Sequence, residues 1–61
     1  MKDLKERLDK LLTDAADCDL IGSLAVDTSK RTMFRRMAEQ FRLMAADLKV
    51  EIMRREAGQE Q

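Results

Sequence analysis

Apolar residues recur along the chain at steps of three and four, in two separate runs. In the first, Leu4, Leu8, Leu11, Ala15, Cys18 and Gly22 are spaced by four, three, four, three and four. In the second, Phe34, Met37, Phe41, Met44, Leu48 and Ile52 follow by threes and fours. Such spacing keeps one residue per turn on a single face of an α-helix and forms a heptad seam of the coiled-coil kind. It predicts helices over residues 3–25 and 29–57.

Between the runs, Val26-Asp27-Thr28-Ser29 breaks the pattern. Asp27, Thr28 and Ser29 are all cap-forming residues, because a short side-chain oxygen can accept from the free N–H groups of a helix start. The sequence leaves open which of them caps. Gly58-Gln59-Glu60-Gln61 is polar and opens with Gly, the usual residue of a C-terminal stop, so a frayed, disordered tail is expected over 58–61.

A turn this short lays the second helix antiparallel to the first. The seams align as Leu4–Ile52, Leu8–Leu48, Leu11–Ala45, Ala15–Phe41, Cys18–Ala38 and Gly22–Phe34, residue numbers that always add to 56. Twice a Phe faces a small residue, the alternation that interdigitated packing requires. The expected fold class is all-α: an antiparallel helical hairpin forming one domain over residues 1–57. Leu20, Ile21 and Leu24 fall off the first seam. Either a partner covers that end, or the first helix kinks between Thr13 and Asp17 and starts a short third helix. Gly22, costing about 1 kcal/mol inside a helix, adds weight to a break.

Length decides what this hairpin must do next. A chain of 61 residues buries only about 60% of its unfolded surface and needs a staple. One Cys excludes an internal disulfide, and one Cys without His argues against zinc. A partner chain remains, and a homodimeric four-helix bundle is the expected assembly. The second helix supplies a candidate surface: Leu43, Ala46, Val50 and Met53 repeat at three, four and three, roughly opposite the seam. With Leu20 and Leu24 they form the candidate protein interface. The plainer reading is scattered surface apolars, which are common.

Charge changes the picture little for the whole chain and more for its halves. Twelve basic and twelve acidic residues cancel, which argues against a general nucleic-acid or membrane role. Residues 1–27 carry net −3 and residues 28–61 net +3. In the hairpin, Asp14, Asp17 and Asp19 are expected near Lys30, Arg31, Arg35 and Arg36, and Lys2, Lys5 and Lys10 near Glu51 and Glu56. On the second helix Arg31, Arg35, Arg42 and Lys49 share a stripe about 27 Å long that could follow a phosphate backbone. It lacks the interleaved aromatics that stack bases. Pairing with acidic neighbours is the plainer role for it.

Catalysis is not expected. There is no His for general acid–base work near neutral pH. Cys18 stands between Asp17 and Asp19, the opposite of the electropositive setting of a nucleophilic cysteine. As a seam residue it reads as small core. Asp14, Asp17 and Asp19 lack the fixed spacing of a calcium loop and do not converge on one helix face. No metal or cofactor is expected. Met37 and Met44, at seam spacing, read as core. The acidic start, the absence of a long apolar run and the lone thiol suit a cytoplasmic protein.

In length and plan the chain resembles small plasmid copy-number regulators, which dimerise into four-helix bundles and bind RNA. No residue motif carries that likeness, so it implies architecture and not function. The expected function is a non-enzymatic, self-associating interaction module acting as regulator or adaptor. The alternatives are a nucleic-acid-binding hairpin and a small structural subunit of a larger assembly.

Overall fold

The computed structural model describes residues 2–59. It contains two helices, α1 (Lys2–Leu24) and α2 (Thr28–Gln59), packed on each other as a hairpin. α1 is continuous through Thr13–Asp17, so the third-helix alternative does not hold. Gly22 is tolerated inside α1 because α2 lies against it. A Cβ built there would meet Phe34 Cβ at 3.3 Å and the Arg31 carbonyl oxygen at 3.6 Å.

The turn is Ala25-Val26-Asp27, and no described residue takes a positive φ. Asp27 is the cap: its Oδ1 accepts from the Ser29 N–H at 2.9 Å, while its carbonyl accepts from the Arg31 N–H at 3.0 Å. At the end of α1 the Ala25 N–H donates back to the Gly22 carbonyl at 3.3 Å. The Ser23 hydroxyl donates to the Leu20 carbonyl, and Arg31 Nε to the Ala25 carbonyl at 3.0 Å, so orphaned helix-end carbonyls find donors. At the other end α2 runs on through Gly58 to Gln59 instead of stopping at Gly58. Glu60 and Gln61 of the expected tail lie outside the described residues.

The seam is built from small residues. Ala15, Cys18, Gly22, Ala38, Ala45 and Ile52 are buried. Leu4, Leu8, Leu11, Phe34, Phe41 and Leu48 are only half-buried. Met37 and Met44, expected in the core, are 39% and 46% exposed, and Ala38 and Ala45 take the central positions. The physical reason is the close approach of the helices. Steps of three and four fit two tracks one residue apart, and only the alanine track is small enough to sit between the backbones. At about 100° per residue, Met37 and Met44 then stand about 60–80° off the buried direction.

The result is thin. The molecule measures 52 × 15 × 11 Å, with a radius of gyration of 14.7 Å against about 10–11 Å for a compact chain of this length. No large side chain is completely buried among the described residues.

Candidate protein interface

Two edges flank the seam, one on each side of the hairpin. Along the first run Lys5, Leu12 and Asp19 of α1 and Arg35, Arg42, Lys49 and Glu56 of α2. Lys5 Nζ lies 2.9 Å from Glu56 Oε2, and Arg42 donates to the Asp19 carboxylate. The acid–base complementarity expected of the hairpin thus takes specific form: Asp19 pairs with Arg42, not with Arg31, Arg35 or Arg36. Other charges settle within their own helix, Lys10 with Asp14 at 3.5 Å and Glu51 with Arg54 and Arg55.

The basic stripe lies on this charged edge. Arg31, Arg35, Arg42 and Lys49 are all exposed. Arg42 is committed to Asp19 and Arg31 to the Ala25 carbonyl. Among the described residues, Arg35 and Lys49 have no ion partner.

The second edge is apolar. Leu4, Leu11, Met44 and Leu48 line a groove between the helices, walled by Asp3, Arg7, Asp47 and Glu51. It continues past Arg7, Leu11 and Met44 to Phe41, with Lys10 and Asp14 at its rim. Toward the turn the same side carries Ile21, Met33 and Met37, each about half exposed. Here the large seam side chains reach water, because the alanine-sized centre pushes their bulk outward.

The six interface residues expected from the sequence are all exposed, but they do not form one surface. Leu43, Ala46, Val50 and Met53 lie about 100–180° from the buried direction, on the back of α2. Leu43 and Met53 are each 66% exposed. Leu20 lies on the back of α1, with the whole hairpin between it and Leu43. Leu24 sits between the back of α1 and the apolar edge. Seam spacing alone does not reveal the groove, because it counts Met37 and Met44 as core. The signal for it was present: aligning the seams already put Ala38 and Ala45 opposite Cys18 and Leu11, leaving the methionines outside.

Cys18 is buried and unpaired. Among the described residues no group of three or more Cys, His, Asp or Glu side chains could hold a metal ion, and no buried side-chain polar atom lacks a partner. No described helix is long and apolar enough to cross a membrane. No family model, curated protein or solved structure matches the chain.

Proposed function

We propose that the chain is a non-enzymatic interaction module that associates with itself and acts as a small regulator or adaptor. One observation carries this reading. The hairpin exposes 4973 Å², whereas a folded monomer of 7.1 kDa exposes about 4,100 Å². The excess of about 900 Å² matches the roughly 800 Å² that each partner contributes to a standard interface. Much of it is apolar and contiguous, as interaction surfaces are. A second chain covering one face would bring each copy to the exposure of an ordinary small domain and give Leu4, Leu11, Phe41 and Leu48 a complete environment. The four-helix bundle is the simplest assembly with that property.

The buried lone thiol suits a reducing compartment such as the cytoplasm. The nucleic-acid reading rests on the charged edge and is weakened there, because Arg31 and Arg42 already have partners within the chain. A larger assembly would use the same apolar surface with a different protein on it.

The test is the solution mass of the chain at micromolar concentration and above. A dimer, or a higher closed oligomer, is expected. A monomer that keeps its helicity would remove the reading.

A further inference from the structure

We infer that the apolar edge is covered by a second copy whose turn lies at the same end, so that each α1 rests on the partner's α2 and the two-fold axis runs along the helices. This rests on the self-association proposed above and adds the face and the orientation, which are argued from charge and register.

With the axis along the helices, every residue keeps its height. Residues of α1 then meet the second copy's α2 at numbers adding to about 57, as they meet their own α2 near 56. The outer positions bordering the groove match under that rule. Asp3 faces Arg54 of the second copy, Lys10 faces Asp47, and Leu24 faces Met33, all of them exposed in the single hairpin. One position inward, Arg7 faces Glu51 and Ile21 faces Met37. Charge meets opposite charge at the open end of the hairpin, and apolar meets apolar near the turn. Asp14, already paired with Lys10 in its own chain, faces Met44. Asp17 faces Gln40.

The opposite orientation turns the second copy end for end and lays α1 on α1 and α2 on α2. Asp14 would lie near its own symmetry mate, and Asp3 and Arg54 would sit against Leu24 and Met33. Like charges across an interface select against a geometry even where unlike pairs add little affinity. Neighbouring helices are antiparallel in both arrangements, so the helix macrodipoles are satisfied either way and the choice falls to the side chains.

Val26, 91% exposed in the turn, reports on the orientation without touching the core. A nitroxide is placed there as Val26→Cys in a Cys18→Ala background, and the label-to-label distance is read by pulsed electron spin resonance. The same-end dimer predicts roughly 15–25 Å, the width of a bundle whose neighbouring helices lie about 8–10 Å apart. A dimer with a distance of about 40 Å, the separation of the two turns when roughly 25 residues at 1.5 Å each lie between them, overturns the orientation and leaves self-association standing. A monomeric mass with no dipolar coupling overturns self-association itself. A second readout does not need the label. Lys10→Glu should weaken the dimer about tenfold, since the contact occurs twice, and Asp47→Lys added to it should restore the affinity. Failure of that rescue in a protein that still dimerises overturns the assigned face and register.

Discussion

On one edge of the hairpin, Lys5 meets Glu56 and Asp19 meets Arg42; on the other, Ile21, Met37 and Met44 stand about half in water. The two edges flank the same seam and come from the same two helices. Their difference separates two tasks. Charged side chains across an exposed edge add only about 0–1 kcal/mol each, but their spacing favours one register. Apolar side chains along an open edge bury only about half of their surface in a single hairpin, and the rest is area a second chain could cover. One edge is therefore closed by ion pairs within the chain, and the other is the open surface to which the proposed association is assigned.

The comparison can be broken most strongly from the apolar side. Met44→Glu should weaken self-association at least a hundredfold and lower the thermal midpoint measured at micromolar concentration. Val50→Glu, on the back of α2, should change either by much less. Equal effects of the two, by sedimentation and melting, would erase the distinction between groove and back stripe. The seam beneath both edges comes next. Gly22→Val forces new methyl groups against Phe34 and the Arg31 carbonyl, and overpacking of this kind costs about 1–3 kcal/mol, read as a shift in the urea midpoint. Removing the cap with Asp27→Ala should cost about 1 kcal/mol, since the Ser29 N–H loses its acceptor at the start of α2. The smallest effect belongs to the charged edge. Arg42→Gln should cost under about 1 kcal/mol, and that difference should shrink as salt is added. A loss of several kcal/mol there would mean that the charged edge, not the apolar one, holds the molecule together.

Much of the hairpin was legible in the sequence, because seam spacing and a cap-rich turn are local signals. The alignment at numbers adding to 56 placed Gly22 on Phe34, and a Cβ built on Gly22 would indeed meet Phe34 Cβ at 3.3 Å. The kink at Thr13–Asp17 was not excluded by sequence, since Gly22 is a weak residue for a helix in isolation; its value as a point of close contact emerges only once α2 lies against it. Met37 and Met44 were misplaced for a related reason. Periodicity cannot choose between adjacent tracks of a helix, and the choice was made by how near the other backbone comes. The stop at Gly58 is not realised, because a glycine ends a helix by taking a left-handed conformation, and Gly58 keeps a negative φ inside α2. The repeat of Leu43, Ala46, Val50 and Met53 is visible in the sequence, but the distance of that stripe from Leu20 follows from the hairpin as a whole.

The central claim is that association completes the fold, and it is tested most directly by measuring mass and helicity together over a dilution series. Light scattering should give twice the 7.1 kDa chain mass at high concentration. The far-ultraviolet circular dichroism should lose helical signal over the same concentrations at which the mass falls. A mass of one chain with full helicity at every concentration would contradict the account, because the hairpin would then be closed without a partner.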